Sequence, residues 1–151
     1  LNLVIRNFMD QGTQEEKAHK AEEVMSRLRV VKCFEIDQLI LLFAQIISSL
    51  KAGSMQAPLR MIMIDSMSSL FTGISQKNQY YANLVKELLY YLKTLTKKYF
   101  ISVVFTNNTK DTHVTRVTEL KNLVGDPLTW AVDKQIYANQ VNDQTNYLII
   151  K

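Results

Sequence analysis

Residues Arg60 to Gly73 read RMIMIDSMSSLFTG, and the fold turns on how this stretch is read. Met61 to Ile64 form an unbroken apolar run that stops abruptly at Asp65, before small hydroxylated residues and a Leu70–Phe71 pair. An apolar run without alternation marks a parallel strand covered on both faces. The residue leaving such a strand at its carboxyl end stands where open α/β sheets bind ligands. Two readings of Asp65 follow. It is placed to hold a magnesium ion through water beside a nucleotide phosphate, or it only caps the next turn or helix.

The chain around it has 151 residues, 47% of them hydrophobic, enough for one domain with its own core. Only 4 Gly and 2 Pro occur, which argues against long disordered or low-complexity segments. No repeat of solenoid period is visible. The apolar runs fall short of a membrane span and no signal-peptide pattern opens the chain, so no membrane partner is expected. The single cysteine, Cys33, has no internal partner, which points to a reducing compartment such as cytosol or nucleus. Its apolar neighbours suggest a buried, inert thiol. A net charge of +4 and a pI near 9.1 are compatible with nucleic acid without demonstrating it. His19 and His113 lie far apart with no ligand cluster around either, so no zinc site is expected.

Outward from Asp65, the elements alternate. Leu1 to Ile5 reads as a short strand. Thr13 caps a helix running to Leu28, with Glu16 completing a capping box and Ala18, Ala21, Val24, Met25 and Leu28 on one stripe. Arg29 to Phe34 reads as a second strand and Asp37 to Leu50 as an apolar helix. The strand from Leu59 to Asp65 is followed by a long amphipathic helix over about Asn78 to Tyr99. Its stripe comprises Tyr81, Leu84, Val85, Leu88, Leu89, Leu92 and Leu95. One helix cannot turn Tyr80, Tyr81, Tyr90 and Tyr91 all inward, so some cover loops or meet a partner. Tyr99 to Asn107 gives a fourth strand, and Asn107 to Leu128 a polar stretch with one short helix. Two strands joined by a turn near Val141 to Asp143 form an antiparallel hairpin. Alternating βα units predict an α/β fold with a mostly parallel sheet and helices on its faces.

In this order the motifs resemble the RecA-like recombinase core, specifically the eukaryotic strand-exchange recombinases and their paralogues. MIMIDSMSSLF, Met61 to Phe71, is similar to that family's Walker B strand and the small-residue turn after it. VVFTNNT, Val103 to Thr109, is similar to the segment before its second DNA-binding loop. VVKCFEIDQLILLF, Val30 to Phe43, resembles the strand, aromatic and helix that precede Walker B, and Trp130 before a strand echoes the paralogues. The resemblance covers nearly the whole chain. It implies a single RecA-like ATPase-core domain over residues 1–151, truncated or degenerate at its amino-terminal end.

The departures matter as much. No G-x-x-x-x-G-K-[ST] occurs, and the glycines are Gly12, Gly53, Gly73 and Gly125. Without that loop there is no nest of N–H groups and no lysine for the phosphates. The family's loop belongs just before the Leu1 strand, and the chain starts with Leu rather than Met, so a loop upstream stays open. Where the family has its catalytic glutamate, this chain reads VIRNFMD, with Asn7 in place, and an amide cannot serve as the base. Lys134 is a loose substitute for an arginine of the paralogues. The resemblance thus implies that Asp65 descends from a Walker B aspartate without its chemistry, and that this chain alone holds neither ATP nor magnesium.

What the resemblance implies for other residues follows from position. Asp65, Ser66 and Asn108 make up a degenerate nucleotide site or a subunit interface, with Asn108 at the place of the family's sensor glutamine. A turn-forming Asn107–Asn108 pair is the plainer reading. Lys110, Arg116 and Lys121, with His113 nearby, fall in the segment matching the second DNA-binding loop, where cations contact phosphates irrespective of sequence. Asp111, Glu119 and Asp126 dilute that charge, and solvated loop residues are the alternative.

The expected function is that of a non-catalytic recombinase paralogue: a nuclear mediator subunit in homologous recombination. It pairs with another paralogue or the strand-exchange recombinase and assists filaments on single-stranded DNA, directly or through that partner. The rival is the C-terminal part of an active RecA-type, DNA-dependent ATPase whose P-loop lies outside this sequence. A third reading is a RecA-like scaffold with an unrelated binding role.

Overall fold

The computed structural model describes residues 13–55, 57–75, 77–108, 126–141 and 144–149. The chain divides into two compact units, Leu1–Lys32 and Cys33–Lys151.

In the first unit, helix α1 (Gln14–Arg27) begins with the expected capping box. The Thr13 hydroxyl accepts from the Glu16 N–H at 3.3 Å and the Glu16 carboxylate accepts from the Thr13 N–H at 2.9 Å. The stripe it was expected to bury is open, with Val24, Met25 and Leu28 all exposed. Its support is local: the cap, and a sequence rich in Glu, Lys and Ala. The segment Arg29 to Phe34, expected as a strand, has no regular structure, and Val30, Val31 and Phe34 are exposed. β-Branched residues favour a strand only where a ladder partner exists, and none of the described residues pairs with this segment. Cys33, at the start of the second unit, is half-buried against the core. The strand expected at Leu1 to Ile5 lies outside the described residues.

The second unit is built on two helices. Helix α2 (Ile36–Ala52) buries Ile36, Leu39, Ile40, Phe43 and Ile47, one stripe at helical spacing. It ends at Gly53, whose φ of 63° is left-handed. The Gly53 N–H reaches the Leu50 carbonyl and the Ser54 N–H the Ser49 carbonyl, closing the last turn. Strand β1 (Met61–Ile64) and the one-turn helix α3 (Met67–Leu70) follow. Asn78 caps helix α4 (Gln79–Lys93), its side-chain oxygen accepting from the Tyr80 N–H at 3.0 Å. The expected α4 stripe is buried at Tyr81, Leu84, Val85, Leu88, Leu92 and Leu95, and only half-buried at Leu89. Tyr81 packs on Phe71 and Tyr91 on Phe43, while Tyr80 and Tyr90 are exposed. The Tyr80 hydroxyl donates to Asp37 at 2.8 Å, tying the starts of α2 and α4.

Helix α4 widens into a π-helical turn over Thr94–Lys98. The chain then leaves through Phe100 at a φ of 55°, a left-handed conformation that costs a non-glycine residue about 1–2 kcal/mol. The Ile101 N–H bonds the Leu95 carbonyl at 3.0 Å, closing the widened turn as Ser54 closes α2. Strand β2 (Ser102–Phe105) lies parallel to β1, with Met61 opposite Ser102 and Ile64 opposite Phe105.

The uniformly apolar strands predicted cover on both faces. Ile62, Ile64, Val103 and Phe105 do pack on the core made by α2, α3 and α4. Met61, Met63 and Val104 on the other face are 52%, 75% and 46% exposed, so among the described residues one face is bare. Helix α5 (Asp126–Ala131) inserts Leu128 into the core. The expected hairpin forms as a separate antiparallel pair, β3 (Ile136–Val141) and β4 (Gln144–Ile149), with Val141 opposite Gln144. At this level the chain is α/β: among the described residues, helices pack on one side of a small parallel sheet, and a hairpin follows. Among the described residues no helix is long and apolar enough to cross a membrane.

Candidate functional site at the carboxyl ends of the parallel strands

Parallel pairing in register brings the residues after β1 and β2 to one edge. The Thr106 N–H bonds the Ile64 carbonyl at 3.0 Å, and the Met67 N–H bonds the Thr106 carbonyl at 2.9 Å. The second contact stitches the turn after β1 to the end of β2. Between them the Thr106 hydroxyl donates to Asp65 Oδ1 at 2.5 Å, a short charge-assisted bond. The Asp65–Ser66 peptide bond is cis.

Of the two simple readings of Asp65, the geometry bears on the cap alone. Asp65 does not cap α3: the residue at the cap is Ser66, which makes no side-chain cap bond. Ser66 instead shares a 3.4 Å hydroxyl contact with Ser68, and its carbonyl accepts from the Ser69 hydroxyl at 2.7 Å. Asp65 is exposed and makes no ion pair among the described residues. One carboxylate oxygen is held by Thr106, and the other meets no donor among the described residues.

Asn108 stands two residues beyond Thr106 and is exposed. The group that touches Asp65 is therefore Thr106, one residue past β2, where strand register places it. Between them Asn107 is unusual. Both its amide atoms are buried without a hydrogen-bond partner among the described residues. Leaving such a group unmet costs about 1–3 kcal/mol, and the residues that follow, from 109 on, lie outside the described ones. Lys110, His113, Arg116 and Lys121 lie outside the described residues, as does Asn7.

Among the described residues there is no phosphate cradle beside Asp65. A phosphate cradle needs successive backbone N–H groups in a glycine-rich turn between a strand and a helix. Gly53 instead ends α2, and Gly73, at a φ of 83°, belongs to the turn after α3. Among the described residues no group of three His, Cys, Asp or Glu side chains is placed to hold a metal ion. Asp65 thus presents one carboxylate oxygen engaged by Thr106 and one that meets no donor among the described residues. Comparison of the chain with protein-family models, curated proteins and solved structures finds no match.

Proposed function

We propose that this chain is a non-catalytic, RecA-like recombinase paralogue: a nuclear mediator subunit in homologous recombination. It pairs with another paralogue or with the strand-exchange recombinase and supports the filament on single-stranded DNA. The observation that carries the reading is the Asp65–Thr106 bond at the carboxyl ends of adjacent parallel strands. That is where a Walker B aspartate and a neighbouring sensor strand would meet, and here the carboxylate is engaged by a protein hydroxyl. Subunits of this kind assemble head to tail with nucleotide sites at their junctions, so a degenerate site becomes an interface.

Co-expression with candidate paralogues and with the recombinase, followed by size-exclusion chromatography, tests this directly. The chain should co-elute with one of them. Asp65→Ala should weaken that association while the circular dichroism of the chain stays nearly unchanged. A soluble, cooperatively folding monomer that ignores every paralogue offered would defeat the reading.

A further inference from the structure

Phe100 goes against two preferences at once. Its φ of 55° belongs to the left-handed region that glycine occupies at helix ends. Its side chain is also 82% exposed. Gly53 holds the corresponding place after α2, at a φ of 63°, and shows what the turn itself requires. Neither the backbone nor the core asks for a phenyl ring at position 100.

The surroundings of Phe100 are basic. Lys97 and Lys98 close the π-helical turn just before it. Arg60 is brought beside the start of β2 by the bond from the Ser102 N–H to its carbonyl, 2.9 Å. Lys97 pairs with Asp133 at 3.4 Å, across exposed surface where such a pair adds little. Arg60 and Lys98 have no carboxylate partner among the described residues. From this end both strands run into the bare face of Met61, Met63 and Val104. The result is an apolar sheet face entered from a cationic edge.

We propose that this surface docks an acidic, amphipathic segment of a partner polypeptide, with Phe100 as an anchor. The cations set the sign of the partner's charge. The apolar face favours a polypeptide over nucleic acid, because methionines adapt to apolar anchors and phenylalanine is enriched at protein interfaces. Nucleic acid without sequence preference is held instead by successive aromatic platforms, whereas here the neighbouring Tyr99 ring is half-buried and lies under Lys98, leaving Phe100 as the exposed ring. Phe100 is at the opposite end of the strands from Asp65, so the effect of Phe100→Gly and that of Asp65→Ala can be told apart.

The test uses the full chain labelled with 13C at its methionine methyls, as wild type and as Phe100→Gly. The probes are a synthetic amphipathic helix with a leucine face flanked by glutamates, the same helix with lysines for glutamates, and oligodeoxythymidine. The glutamate helix should shift the Met61 and Met63 methyls saturably and leave the buried Met67 in place. Phe100→Gly should weaken that binding about tenfold or more, as loss of an interface anchor does. The same variant should melt at or above the wild-type temperature, since glycine suits a positive φ. The proposal is overturned if the glutamate helix does not bind, or if the lysine helix binds as well. It is also overturned if oligodeoxythymidine shifts the same methyls, or if Phe100→Gly lowers the melting temperature while leaving peptide affinity unchanged.

Discussion

The two faces of the β1–β2 pair are built from the same kind of residue and meet different fates. Ile62, Ile64, Val103 and Phe105 pack on a core of α2 and α4, whereas Met61, Met63 and Val104 face outward. The apolar pattern of a strand states that both faces want cover. It does not state where the cover comes from. The inner face is covered by helices, and the outer face has no cover among the described residues. The difference separates what holds the unit together from what is available to a partner.

The largest expected effect is on the covered side. Phe43 is fully buried in the middle of α2. Phe43→Ala should cost about 3–5 kcal/mol, the transfer free energy of the ring plus the cavity it leaves. Urea unfolding monitored by circular dichroism measures it. A loss under about 1 kcal/mol would mean that this core is not what stabilises the unit.

On the bare side the same kind of substitution should do almost nothing. Met63 is 75% exposed, and Met63→Gln should change stability by no more than about 0.5 kcal/mol in the isolated chain. A loss comparable to that of Phe43→Ala would show that the outer face is covered within the chain, and the contrast between the faces would collapse.

How much of this was legible in the sequence depends on the range of the signal. The Thr13–Glu16 capping box, the apolar helix α2, the stripe of α4 and the pairing of β3 with β4 rest on local signals, and each is where the sequence predicts it. Pairing is not local. Val30, Val31 and Phe34 carry strand propensity as strong as β1, yet without a ladder partner they form no strand. The candidate site divides in the same way. Asp65 was legible from the abrupt end of an apolar run. That Thr106 meets it required the register of β1 against β2, which no single segment contains. The buried amide of Asn107 left no trace in sequence. Phe100 did leave one: a bulky residue just after a helix end, where glycine is usual.

The smallest effect belongs to a contact on neither face. The hydrogen bond to Asp37, then slight burial and the charges of Asp37 and Glu35, raise the Tyr80 pKa above its ordinary value of 10.0. The unfolded chain therefore releases that proton first. The contribution of the Tyr80–Asp37 bond is complete below pH 10 and is lost as pH rises through the higher folded-state value. Tyr80 is solvent-exposed, so the contribution is small. Urea melts of wild type and Tyr80→Phe should differ slightly at neutral pH and converge in strong alkali. A difference that instead widens with pH would show the bond to be unimportant.

The central claim is that the edge at Asp65 recognises protein rather than nucleotide. Its most direct test is an equilibrium titration of the chain with a fluorescent ATP analogue in the presence of magnesium. The account predicts no saturable binding through the micromolar range. Micromolar affinity abolished by Asp65→Ala would contradict it and favour an active ATPase.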